Sequence, residues 1–262
     1  MNRVRLISRT LPYKKGPFMA IITQDYFCPA IGMATELRAV IPDAALKEVR
    51  RPGSTLFLLS PEGSSGSDWI TSTKLKVLCD KYDTAAVLVP CLQGCYTNMV
   101  YGYRFYDSLR YSREYIETYL PGIDVSDGHI AAAGVSAGGA AALRWAMEEP
   151  DAFSACASFS GLLDPSREEG GWFTQNRMLC LYGDQGQREE AWSDFLTLCR
   201  ETAQTRCYIF SANCDPGYGD SLKAAEFLEK KALMKTGEGT SDWKTWSDVF
   251  GEFMRWWKGE EG

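Results

Sequence analysis

The chain has 262 residues, 45% of them hydrophobic, and a formal net charge of −6. That length supports one globular core, and the acidic balance argues against a nucleic-acid partner. No apolar run approaches the ~20 residues of a membrane span. Residues 1–18 carry Arg3, Arg5, Arg9, Lys14 and Lys15 with no acid, and read as a basic leader or an upstream start ahead of a domain at 19–258.

Strand-like runs fall at 20–24, 35–41, 55–59, 85–89, 129–135, 152–159, 178–182 and 207–210. Helical patterns fall between many of them, at about 72–81, 104–119, 137–149, 187–203, 219–233 and 242–257. Pro90, Pro121, Pro150 and Pro165 punctuate the ends. This alternation predicts an α/β protein with a mostly parallel central sheet and helices on both faces. In such sheets ligands bind at the C-terminal ends of the strands. The aromatics Trp243, Trp246, Phe250, Phe253, Trp256 and Trp257 recur at helical spacing and predict a last helix packed on the sheet.

Nine cysteines, an odd number, are spread along the chain. With no secretory signal they read as reduced thiols in a cytoplasmic protein. Cys91 and Cys95 have the spacing of metal ligands, but no second pair completes a site, so no metal is expected.

Gly134-Val135-Ser136-Ala137-Gly138 is the most informative stretch. An apolar run precedes it and a small-residue helical pattern follows it. That order, strand then sharp turn then helix, turns a GxSxG match into a nucleophile elbow. A serine nucleophile needs a base, normally histidine. The one histidine is His129, at the opposite end of the same strand. At about 3.3 Å per residue it lies roughly 20 Å from Ser136 and cannot take its proton.

Further landmarks resemble the tributyrin-esterase and esterase D-like branch of the α/β-hydrolases, from about Met19 to Trp257. Leu56 to Leu59 followed by Gly66-Ser67-Asp68-Trp69 is similar to that family's strand and oxyanion loop. Cys95-Tyr96-Thr97-Asn98-Met99 is similar to its Tyr-Thr-Asp segment. Ser211-Ala212-Asn213-Cys214-Asp215 resembles its acid loop, and Gly237 to Trp243 its glycine-rich histidine loop.

The resemblance implies an α/β-hydrolase fold, a carboxylic-ester substrate of short acyl type, and no cofactor. It implies Ser136 as nucleophile and Asp215 as triad acid, with Asp184 as the alternative. It also implies oxyanion N–H groups from Ala137 and Glu62, with Ser60 and Tyr96 beside them. The family histidine position holds Ser241. A second family histidine is replaced where Leu-Leu-His-Gly reads Leu58-Leu59-Ser60-Pro61. The expectation is therefore impaired hydrolysis, or a pseudo-esterase that binds a small ester or acyl ligand. A substitute base such as Lys244 is the competing expectation. An inward-pointing Glu62 carboxylate would oppose charge developing at the oxyanion site. No membrane or nucleic-acid partner is expected, and a homo-oligomer is compatible with the sequence.

Overall fold

The computed structural model describes residues 20–167, 173–202 and 205–260. The basic leader expected at 1–18 lies outside them. Among the described residues, eight strands form one sheet. In chain order they are β1 (Ala20–Cys28), β2 (Met33–Ile41), β3 (Ser54–Leu59), β4 (Thr84–Val89), β5 (Ile130–Val135), β6 (Phe153–Phe159), β7 (Arg206–Ala212) and β8 (Ala232–Gly237). Their spatial order is β1-β2-β4-β3-β5-β6-β7-β8. The first two strands pair antiparallel, and β2 joins β4 antiparallel. From β4 to β8 every pairing is parallel. β3, β4 and β5 are buried along their whole length, as continuous apolar runs covered on both faces must be.

The helices are α1 (Asp43–Glu48), α2 (Ser67–Ser72), α3 (Leu75–Lys81), α4 (Phe105–Tyr119), α5 (Ala137–Glu148), α6 (Gln175–Tyr182), α7 (Gln185–Glu201), α8 (Tyr218–Leu228) and α9 (Trp243–Trp257). They divide between two cores, one on each sheet face. One core takes Leu109, Ile116, Leu143, Trp145, Leu196 and Ala224, from α4, α5, α7 and α8. The other takes Trp69, Leu75, Phe250 and Phe253, from α2, α3 and α9. The aromatic stripe of α9 packs here as its spacing predicted. Trp69 stands edge-on to both Trp243 and Phe250, with ring centroids 5.5 Å apart in each pair.

Two expectations fail. The apolar run 178–182 was expected as a strand and is the C-terminal half of α6. Thr174 caps that helix by accepting the Arg177 N–H, and Gly183 ends it at a φ of 87°. Short apolar runs do not distinguish strand from helix by pattern alone. The helix expected over 219–233 stops at Leu228. Glu229 then turns at a positive φ of 54°, and the chain enters β8. β8 is a half-exposed edge strand without clean alternation, so its sequence does not declare it. It matters because its register with β7, Ala212 opposite Gly237, sets where the loop after it falls.

No helix among the described residues is long and apolar enough to cross a membrane.

Candidate active site

Ser136 sits between β5 and α5 at φ 56° and ψ −123°. A non-glycine residue adopts that conformation only when its surroundings over-determine it. Here the backbone is held on both sides. The Ser136 N–H donates to the Phe159 carbonyl at 3.1 Å, and the Ser136 carbonyl accepts from Gly139 and Leu162. The flanking glycines are required by space. A Cβ on Gly134 would lie 2.2 Å from the Gly138 carbonyl oxygen, and one on Gly138 would lie 2.4 Å from that of Leu59. Strand and helix therefore touch backbone to backbone, and the serine projects from the tip of the turn, half-buried. Ala137 opens α5, so its N–H is one of the unpaired donors of a helix N-terminus.

Asp215 follows β7 and is almost fully buried. Its Oδ2 accepts from Ser160 Oγ at 2.7 Å, Ser241 Oγ at 2.7 Å and the Ala212 N–H at 2.8 Å. Its Oδ1 accepts the Ser241 N–H at 2.8 Å. Burial works to raise the Asp215 pKa, but these donors outweigh it and hold the carboxyl below its ordinary value. The loop carrying Ser241 has further ties beside this carboxylate. Asn213 N–H donates to the Gly237 carbonyl, Cys214 N–H to that of Gly239, and Asn213 Oδ1 accepts the Gly239 N–H. Asp184, the alternative acid, is instead the N-cap of α7, in a reciprocal capping box with Gln187. Ser160, at a positive φ of 51°, joins the site without a sequence signal. It also accepts the Trp246 indole N–H at 3.0 Å.

Among the described residues no side chain hydrogen-bonds Ser136 Oγ. Lys244 is exposed on the first turn of α9, and no contact ties it to Ser136. His129 is exposed just before β5, at the end of the strand opposite the elbow.

On the oxyanion side, the Glu62 carboxylate, whose orientation the sequence leaves open, pairs with Arg177 of α6. Arg177 also donates to the Gln93 carbonyl at 2.6 Å and lies over the Phe173 ring. The Tyr96 hydroxyl is engaged with backbone on both sides. It accepts the Ser60 N–H at 2.9 Å and donates to the Val89 carbonyl at 2.7 Å. Ser60 is wholly buried, and its hydroxyl has no hydrogen-bond partner among the described residues. Ser60 and Tyr96 thus brace the ends of β3 and β4.

A cavity of about 590 Å³ opens beside the acid loop, walled in part by Leu162, Tyr182, Pro216 and Gly217. Ser136 is not in its wall but lies directly behind Leu162, whose N–H it holds. Among the described residues no group of three or more His, Cys, Asp or Glu side chains is placed to hold a metal.

The fold has many solved counterparts. The fluorophosphonate-binding serine hydrolase F of Staphylococcus aureus superposes with a TM-score of 0.78 at 19% identity, covering 93% of this chain and 99% of its own. The S-formylglutathione hydrolase FrmB of the same organism gives 0.74 at 19% identity over 92% and 99%. An S-formylglutathione hydrolase from Agrobacterium tumefaciens gives 0.78 at 12% identity over 95% and 98%. No curated protein matches the sequence. A family model described as "Putative esterase" matches residues 113–250, a span that includes the elbow, the acid loop and Ser241. This chain, with its mostly parallel eight-stranded sheet and its serine at a strained strand-to-helix turn, belongs to that esterase family of the α/β-hydrolase superfamily.

Proposed function

We propose that the chain is an esterase-family protein whose ester hydrolysis is impaired because Ser241 occupies the position of the base. The observation that carries this reading is the Ser241 Oγ–H donated to Asp215 Oδ2 at 2.7 Å. In a serine hydrolase the acid orients an imidazole, which takes the nucleophile's proton and returns it to the leaving group. A serine hydroxyl has no comparable basicity near neutrality. Here it is a donor to the carboxylate, so it carries no proton away from Ser136. The strained elbow and the Ala137 N–H remain suited to hold an acyl group. In subtilisin, loss of the histidine costs about 10⁶-fold in kcat, with roughly 10³-fold over water left to binding and the oxyanion hole.

A second reading is a non-catalytic pseudo-esterase that binds a small ester or acyl ligand. The crowding of donors on Asp215 favours it, since Ser160, Ser241 and Ala212 leave that carboxylate engaged without any base.

The test is kcat/KM on p-nitrophenyl acetate and butyrate for the native chain and Ser241→His, each beside its Ser136→Ala partner. The native chain should stay close to the Ser136→Ala background. Ser241→His should rise at least tenfold above its own Ser136→Ala partner, chiefly in kcat, since the new group acts in the transition state. Turnover of the native chain near the ordinary enzyme rate of about 10 s⁻¹ would overturn the reading.

A further inference from the structure

The sheet has two edges, β1 and β8, and they differ in kind. An edge strand offers a row of backbone N–H and C=O groups to any passing strand. Proteins guard such rows with short length, charge, proline or a bulge. β8 is guarded: it has six residues, carries Lys235 at mid-strand and directly follows Lys230 and Lys231. β1 is not. It runs nine residues, holds no lysine, arginine or proline, and pairs with β2 through nine consecutive positions without a bulge. Among the described residues no strand lies on its outer side. Its two faces differ as well. Tyr26 and Cys28 turn inward, where Tyr26 stacks on Tyr115 of α4 with ring centroids 4.3 Å apart and the Cys28 thiol donates to Ser108 Oγ at 3.2 Å. Ile21, Thr23, Asp25 and Phe27 alternate with them and are exposed, Ile21 at 44% and Phe27 at 63%.

We propose that β1 is the docking edge for a second copy of this chain, joined antiparallel about a two-fold axis so that the two sheets become one. Such a joint uses the same surface on both copies, so the strand must be complementary to itself. In one register β1 is. With Gln24 on the axis, Ile21 falls opposite the second copy's Phe27, and Thr23 opposite its Asp25. That makes two apolar cross-strand pairs and sets no charge against a like charge. A slip of one residue would put the exposed face of one copy beside the inward face of the other. A slip of two sets Asp25 against Ile21 in one direction, and against the second copy's Asp25 in the other. Pairs directly opposite are the unit of sheet pairing, and a like-charged pair works against it. The main-chain bonds of an added strand supply affinity, and the side-chain match selects the partner. Here that match is between β1 and itself, which favours a second copy over a foreign strand. Nothing in this joint depends on Ser241, so the dimer and the base argument stand or fall separately.

Sedimentation equilibrium of the full chain over a dilution series tests this. The native chain should show a reversible monomer–dimer equilibrium. Phe27→Lys and Ile21→Glu should each raise its dissociation constant by about tenfold or more, because each sets an unpaired charge inside the joint. Ile21→Glu/Phe27→Lys should bring it back toward the native value, because in this register each new acid meets a new base across the axis. Leu222→Lys, at an exposed apolar position of α8 beside the other edge, should leave it unchanged. All the replaced side chains are exposed, so the fold should survive, and melting curves check it. A native chain that stays monomeric up to its solubility limit would overturn the proposal. So would a dimer indifferent to both single changes, or one dissociated by Leu222→Lys. Single changes that dissociate the dimer without recovery in the double variant would overturn the register.

Discussion

Ser241 meets both oxygens of the Asp215 carboxylate, through its hydroxyl at 2.7 Å and its N–H at 2.8 Å. The two residues come from loops 26 positions apart, after neighbouring parallel strands. Their contact couples the acid loop to the entry of α9, where Asp242 caps the helix. The buried carboxylate accepts hydrogen bonds from groups on three loops, those of Ser160, Ala212 and Ser241.

Asp215→Ala should therefore destabilise the fold by about 1–3 kcal/mol, because Ser160, Ser241 and the Ala212 N–H lose an acceptor inside the protein. Asp215→Asn should cost less, since one carbonyl oxygen still accepts. Urea midpoints at constant slope give the comparison. An Asp215→Ala variant as stable as the native chain would show that the loops do not depend on the carboxylate.

Gly138→Ala should cost about 1–3 kcal/mol through overpacking, because the new Cβ falls 2.4 Å from the Leu59 carbonyl oxygen and 2.8 Å from that of Ser60. Gly122→Ala is the matched control, since nothing lies within 4 Å of its Cβ. Thermal unfolding of the two variants side by side should separate them clearly.

The Glu62–Arg177 pair is partly exposed, with side-chain exposures of 26% and 31%. Its direct contribution to stability should be small, about 0.2–1 kcal/mol. Its electrostatic effect should show elsewhere. In a Ser241→His background, Arg177→Gln leaves Glu62 unpaired beside the oxyanion loop and should lower kcat, whereas Glu62→Gln/Arg177→Gln should recover it. A kcat indifferent to both changes would remove Glu62 from the oxyanion environment.

Lys258 gives a pH dependence of stability. Its ammonium is packed against the Trp257 ring and donates to Ser54 Oγ at 2.5 Å. Burial lowers its pKa from 10.5 to about 8, against the opposing pull of Asp83 and Cys79. A folded pKa below the unfolded one means the unfolded chain binds more protons between about pH 8 and 10.5, so stability rises with pH across that window. Lys258→Met keeps the packing without the proton. It should raise Tm relative to the native chain at pH 7, and the advantage should shrink steadily toward pH 10.5. A pH-independent difference would place the effect in packing alone.

His129→Ala should leave any residual hydrolysis unchanged, because the residue is exposed at the far end of β5 from the elbow. The assay is the same p-nitrophenyl ester turnover, with a melting curve to show that the variant folds. Loss of activity in a folded variant would require a different proton path.

The elbow was legible because its physics is local. A strand, a strained turn and a helix need glycine at two fixed offsets around the serine, and the sequence from Gly134 to Gly138 states this in five residues. The position of the single histidine was legible too, since a residue placed before β5 lies at the end of that strand opposite the elbow. The pairing of Asp215 with Ser241 was anticipated only by resemblance, because no local rule links the two loops. What joins them is the β7–β8 register, made by a half-exposed edge strand whose sequence reads as the tail of a helix. Ser160 is the clearest case of what tertiary structure alone decided. Nothing in Phe159-Ser160-Gly161 announces a partner for a carboxylate 55 residues away, and only the parallel packing of β6 beside β7 brings them within 2.7 Å. Glu62 is similar. Its charge was visible in the sequence, but whether that charge opposes the oxyanion site depends on Arg177, which lies on a helix whose apolar run reads equally well as a strand. Local backbone constraints write themselves into a few adjacent residues. The satisfaction of a buried charge is negotiated between distant ones, and only the folded sheet sets those distances.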